Sequence, residues 1–137
     1  MERIQNYISV LQQTMDQLPQ ELIVEVIHTL QQARIQGNQV FIMGNGGSAS
    51  TSSHFVCDLA KNTRHDGLPH YRVIGLADTM EFFSSYANDE GYAHAFSQQL
   101  LKLIRHYAVV LAISATGSAT NVFNPAQVSK LYNARTI

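Results

Sequence analysis

The stretch Val40-Phe41-Ile42-Met43-Gly44-Asn45-Gly46-Gly47-Ser48-Ala49 decides how the rest of the chain is read. Four apolar residues form a short buried strand, a glycine-rich turn follows, and a serine stands where a helical run begins. Strand, glycine loop and helix N-terminus together bind phosphate. Backbone N–H groups and the positive end of the helix dipole face into the loop, and residues without a Cβ let an anion come close. A looser copy lies downstream, where Val109-Val110-Leu111-Ala112-Ile113-Ser114 leads into Ala115-Thr116-Gly117-Ser118-Ala119-Thr120. Two such loops in one small domain point to a phosphorylated ligand.

Upstream, Ile4, Ile8, Leu11, Met15 and Leu18 recur at helical spacing. Pro19 suits the first turn of a second helix, Leu22, Ile23, Val26, Ile27, Leu30 and Ala33 give its apolar face, and Gly37 stops it. Such a pair ahead of the first strand is expected to pack on a neighbouring subunit rather than on its own sheet. The first strand spans 39–43, and a helix over 50–61 follows the glycine loop. Residues 62–70, with Gly67 and Pro69, read as a surface loop, and 71–76 as a second strand. Asp78 or Thr79 can cap a helix through Met80, Phe83 and Tyr86 that breaks at Asn88-Asp89-Glu90-Gly91. Phe96, Leu100, Leu103 and Ile104 mark another helix, and 108–114 the third strand. A last helix covers 121–132, with Pro125 disturbing its first turn. Ala134-Arg135-Thr136-Ile137 opens a fourth strand. The alternation predicts an α/β fold, a parallel sheet covered on both faces by helices. A parallel strand needs its full length and a covering helix, so the single domain, 1–137, is expected to be cut short at its C-terminal end.

Composition narrows the function. The 137 residues carry a formal net charge of −1, and only 14% are charged. There is no basic footprint for a phosphate backbone, so nucleic acid is not an expected partner. So little charge suits a surface partly buried in a homo-oligomer. Cys57 is the only cysteine, which rules out an intrachain disulfide and fits a reducing cytoplasm. No apolar run reaches membrane-spanning length, and the N-terminus lacks a signal-peptide pattern.

The Gly44–Ser48 loop lacks the lysine of a P-loop and the spacing of a dinucleotide fingerprint. It could be a plain structural turn, but the Asn45 amide and the Ser48 hydroxyl add anion donors that a turn does not need. The second loop offers Ser114, Thr116, Ser118 and Thr120 around one glycine. These could serve only as helix caps, yet neutral hydroxyls and N–H groups can also wrap a phosphate without a basic residue. His54 and Asp58, four apart and therefore on one helix face, can hold a divalent metal, share acid–base work, or form an ordinary surface pair. Cys57 reads as a small buried residue. His28, His65, His70, His94 and His106 show no ligand spacing and are expected at the surface. Asn88-Asp89 is either a turn or a carboxylate at the carboxyl end of the sheet, where open α/β folds bind ligands.

Gly44-Asn45-Gly46-Gly47-Ser48-Ala49, with His54-Phe55 and Asp58-Leu59, resembles the sugar isomerase (SIS) domain, and within it the phosphoheptose (sedoheptulose 7-phosphate) isomerase group. The resemblance continues through Ala87-Asn88-Asp89, the 113–122 stretch and Ala134-Arg135-Thr136-Ile137. It implies a flavodoxin-like parallel sheet flanked by helices, usually in a tetramer. It also implies interconversion of sedoheptulose 7-phosphate and a heptose 7-phosphate through an enediol. By resemblance, Asn45, Gly46, Gly47 and Ser48 bind substrate, and Ser114, Thr116 and Ser118 hold the phosphate. Asp89 contacts sugar hydroxyls, His54 and Asp58 are zinc ligands where zinc is bound, and Asp58 is also the catalytic base.

Asp58 stands where the family carries a glutamate, one methylene longer, and Ala119 replaces a serine of the second loop. The family's C-terminal helix, which supplies a partner histidine and glutamine, lies beyond the matched residues. The leading expectation is a phosphosugar isomerase. The alternative is a non-catalytic SIS module, a phosphosugar sensor or an adaptor such as the family member that associates with the bacterial replication initiator. A purely structural oligomerisation unit is a third reading, supported by the low charge and the helix pair.

Overall fold

Side-chain alternation along two central strands sorts the core into two halves, one on each face of the sheet. In the computed structural model, which describes Met1–Ile137, β1 (Gln39–Gly44) and β3 (Val109–Ile113) lie side by side. They are flanked by β2 (Arg72–Gly75) and β4 (Arg135–Thr136). All pairings are parallel, in the order β2-β1-β3-β4, with Phe41 opposite Val110 and Gly44 opposite Ile113. Val40, Phe41, Ile42 and Met43 are all fully buried. Such an unbroken apolar run is what a parallel strand covered on both faces requires.

On one face, Phe41, Met43 and Val110 meet Phe96 and Leu100 of α5 (Ala95–Leu103) and Val122 of α6 (Thr120–Leu131). On the other, Val40, Ile42, Val109 and Leu111 meet Leu30 and Ala33 of α2 (Gln20–Gln36), together with Leu59. Only the C-terminal half of α2 therefore reaches the core, and Leu22, Ile23 and Ile27 stay exposed. α1 (Glu2–Asp16) buries no residue at all, and Ile4, Ile8, Leu11 and Met15 remain in the open. The apolar stripe of α1 and the residues Leu22, Ile23 and Ile27 of α2 are thus not spent on this domain's own sheet. Val26, Leu30 and Ala33 of α2 do pack on it, which corrects the expectation that the whole pair faces a neighbouring subunit. No helix is long and apolar enough to cross a membrane.

The elements match the sequence reading in kind and differ at their ends. Pro19 is the N-cap of α2 rather than a residue of its first turn, and Gly37 closes the helix with φ +69°. α3 (Gly47–Cys57) starts three residues before the expected position, because the Ser48 and Ala49 N–H groups already donate to Asn45 and Gly46 carbonyls. It then passes into a π-helical turn, Asp58–Asn62, instead of continuing as an ordinary helix. α4 (Met80–Asp89) keeps Asn88 and Asp89 in its last turn, and the chain breaks at Gly91, whose φ of +91° suits glycine. Thr79 sits at the N-cap without a side-chain bond, while the Asp78 carboxylate accepts a bond from Ser53. Pro125 lies well inside α6, not in its first turn.

Buried Arg34 straps the surface loop after the π turn. Its Nε donates to the Pro69 carbonyl at 2.6 Å and its Nη2 to the Thr63 carbonyl at 3.0 Å. The guanidinium also lies 5.1 Å from the centre of the Tyr71 ring. Burial raises the Tyr71 pKa above its ordinary value, partly offset by Arg34.

Candidate functional site

From β1 the chain turns to one side of the sheet to form β2, whereas β3 lies on the other side of β1. Loops leaving the carboxyl ends of β1 and β3 therefore part company, and open α/β sheets bind ligands in the crevice between them. Gly44 makes the first loop possible. A Cβ there would sit 2.7 Å from the Ser48 carbonyl oxygen and 2.8 Å from its carbon, so only glycine lets α3 begin directly over the strand end. Gly46, with φ +54°, turns the chain into that helix.

The two glycine and hydroxyl loops meet as the sequence predicts. Asn45 and Ser48 from the first, and Ser114, Ala115 and Thr116 from the second, line one cleft of about 170 Å³ together with Ile113 and Ala119. No lysine or arginine lines it. The Asn45 and Gly46 N–H groups donate to no backbone carbonyl, whereas those of Ser48 and Ala49 are taken up by the Asn45 and Gly46 carbonyls. Ser114 Oγ accepts a bond from the Gly117 N–H at 3.2 Å, and the Thr116 and Ser118 hydroxyls are 2.9 Å apart. The outcome is a small pocket of neutral donors at a helix N-terminus, chemistry suited to a phosphate. Of the remaining residues expected here, Gly46 and Gly47 contribute backbone, and Ser118 stands one bond away through Thr116.

A polar clamp ties this cleft together. Asn45 and Asn121 exchange two amide hydrogen bonds, Nδ2 of each donating to Oδ1 of the other at 2.8 and 2.9 Å. The Tyr92 hydroxyl donates to the same Asn45 Oδ1 at 2.9 Å. Asn121 is only 2% exposed. Neither Asn121 nor Tyr92 stands out in the sequence, since an asparagine in a helix and a tyrosine after a turn carry no signal of a partner 76 or 47 residues away.

His54 and Asp58 also meet, with His54 Nε2 3.2 Å from Asp58 Oδ2. The other carboxylate oxygen of Asp58 accepts from Asn62 Nδ2 at 2.7 Å across the π turn. The side chains are 80% and 42% exposed, and neither residue lines the two-loop cleft. Zinc binds three or four protein ligands. No group of three His, Cys, Asp or Glu residues occurs in the chain, so this pair alone does not complete a zinc site. Asp89, in the last turn of α4, accepts from the Asn88 amide at 2.8 Å and stands outside the cleft. Cys57 is exposed, contrary to the buried thiol expected, because it falls on the outward side of α3. The five remaining histidines are at the surface, as read from the sequence.

A wider groove of about 390 Å³ opens at the other end of the sheet, between α2 and the beginnings of β3 and β4, with Glu25, His28 and Arg135 in its wall. Glu25 and Arg135 are paired there, which cancels their charge, and it lies at the amino ends of the strands. The two-loop cleft is the better-built site.

Comparison with known proteins agrees with this architecture. The SIS domain family model matches residues 4–137. The phosphoheptose isomerase of Geotalea daltonii is 33% identical over 142 residues, an alignment covering 100% of this chain and 72% of the relative. That of Aliarcobacter butzleri is 32% identical over 131 residues, covering 86% of this chain and 68% of the relative. Among solved structures, the phosphoheptose isomerase of Neisseria gonorrhoeae superposes with a TM-score of 0.85 at 22% identity, over 98% of this chain and 71% of that one. That likeness establishes the fold.

Proposed function

This chain belongs to the SIS domain family, and from that premise we propose that it binds a phosphorylated sugar and acts as a phosphoheptose isomerase. The observation that carries the reading is the cleft itself, where loops from β1 and β3 bring Ser48, Ser114 and Thr116 together at a helix N-terminus. The phosphate of sedoheptulose 7-phosphate takes the neutral hydroxyl and N–H donors, and binding at that end orients the sugar chain. The relatives carrying the isomerase name support the substrate class.

In this reading Asp58 is the base. Its carboxylate takes a proton from the carbon beside the ketose carbonyl, leaving an enediol, and returns it to the former carbonyl carbon to yield the aldose. No atoms are gained or lost; one proton moves between adjacent carbons and another between their oxygens. His54 holds the carboxylate from one side, and Asp89 serves sugar hydroxyls farther along the chain. His54 and Asp58 would be the chain's contribution to a bound zinc, which polarises a carbonyl oxygen when present. The exposed apolar stripe of α1 and α2 supports assembly with further copies, a tetramer by family likeness. The lone cysteine and the absence of a membrane-crossing helix suit a cytoplasmic enzyme.

A second reading, a non-catalytic phosphosugar sensor, is favoured by the Asp58 carboxylate, whose two oxygens are both taken up by neighbours. Incubation with sedoheptulose 7-phosphate, with and without added zinc, separates the two. The isomerase reading expects an aldose heptose phosphate to accumulate. Tight binding with no product in either condition rejects it and leaves the sensor.

A further inference from the structure

We infer that Asn121 and Tyr92 are positioning residues for the phosphosugar cleft, and that the Asn45 side chain serves this clamp rather than the ligand. The inference deepens the proposed function and rests on its reading of the cleft. Asn45 Oδ1 accepts from both Asn121 Nδ2 and the Tyr92 hydroxyl, which fills its two lone pairs, and one of its two Nδ2 protons goes to Asn121 Oδ1. An amide so committed fixes the peptide that carries it, and that peptide begins the first loop.

Each partner is itself held in place. Asn121 is buried in the second residue of α6, the helix that follows the hydroxyl loop. Three residues on, Asn124 Nδ2 donates to the Ala93 carbonyl at 2.7 Å, so one face of α6 grips both the first loop and the turn carrying Tyr92. The Tyr92 ring stands edge-on to Phe83 at 5.7 Å and 85°, and Phe83 packs on buried Phe96 at 5.0 Å. The hydroxyl is therefore aimed by core packing. Through these contacts the loop after β1 is registered against the helix after β3, so that the donors of both loops face one point before any ligand arrives. Binding then avoids the cost of ordering them.

Three variants of the full chain test this, read by calorimetric binding of sedoheptulose 7-phosphate and by amide hydrogen exchange. Tyr92→Phe removes one bond from a half-exposed side chain and should weaken binding about threefold; Asn121→Ala removes two and should weaken it about tenfold. In both, the Ser48 and Ala49 amides should exchange faster while those of β1 do not change. Asn121→Asp adds a pH readout. As a carboxylate, the new side chain cannot donate to Asn45 Oδ1, but when protonated it can. Its affinity relative to wild type at the same pH should therefore recover as pH falls from 7 towards about 4.5. Variants that bind within twofold of wild type with unchanged exchange at Ser48 and Ala49 would overturn the inference. So would an Asn121→Asp defect independent of pH. If wild type itself does not bind the sugar phosphate, the proposed function fails instead, and the exchange data alone decide whether the clamp orders the loop.

Discussion

The two-loop cleft and the His54–Asp58 face are both polar, and they are held in opposite ways. The helix face is local: His54, Asp58 and Asn62 stand four residues apart on one continuous segment, and Asp58 touches both of the others. The cleft is assembled from residues as many as 76 positions apart, clamped by a buried amide. A local pair keeps its geometry whenever the helix forms. A tertiary clamp exists only when the whole sheet is in register. Damage to the helix face should therefore alter chemistry with little effect on folding, and damage to the cleft should alter binding and stability together.

The largest expected effect is on the helix face. Asp58→Asn should cut turnover by roughly 10²-fold or more, the scale of a lost general base, with sugar phosphate affinity and thermal midpoint nearly unchanged. Steady-state kinetics beside calorimetry checks it, and equal loss of binding and turnover would give Asp58 a structural role. On the cleft side, Gly44→Ala should lower folding stability by about 3 kcal/mol, because the new Cβ meets the rigid Ser48 backbone rather than a movable side chain. Denaturant midpoints measure this, and a normal midpoint would mean that α3 can move off the strand end. Next, Ser114→Ala with Thr116→Ala should weaken sugar phosphate binding roughly a hundredfold, the worth of two hydrogen bonds to a charged group at about 1.5 kcal/mol each. Binding of the unphosphorylated sugar should not change. Smallest, Asn62→Ala should shift stability by no more than about 0.5 kcal/mol, as expected at an exposed site. It would still alter turnover a few-fold by freeing one Asp58 oxygen.

The same contrast explains what could be read in advance. The apolar run 40–43 and the loop Gly44–Ser48 are contiguous, so strand, turn and helix start follow from residue order alone. His54 and Asp58 are legible for the same reason, since helical spacing predicts their contact. The π turn was not, because Asp58, Leu59, Ala60, Lys61 and Asn62 have ordinary helical character and only the backbone shows the wider winding. The exposure of Cys57 is not legible in residue order either, because it depends on which side of α3 faces the sheet, a fact set by packing. Asn121 and Tyr92 were silent for the deepest reason: their meaning is a shared acceptor on Asn45, brought to them by the parallel pairing of β1 and β3.

The central claim is that the loops after β1 and β3 form one phosphosugar site, and backbone amide chemical shifts during titration with sedoheptulose 7-phosphate test it most directly. Concerted, saturable shifts are expected at Gly46, Gly47, Ser48, Ala115 and Thr116 with a single dissociation constant, and none around Glu25, His28 and Arg135. Shifts confined to the Glu25–Arg135 groove, or to only one of the two loops, would contradict it.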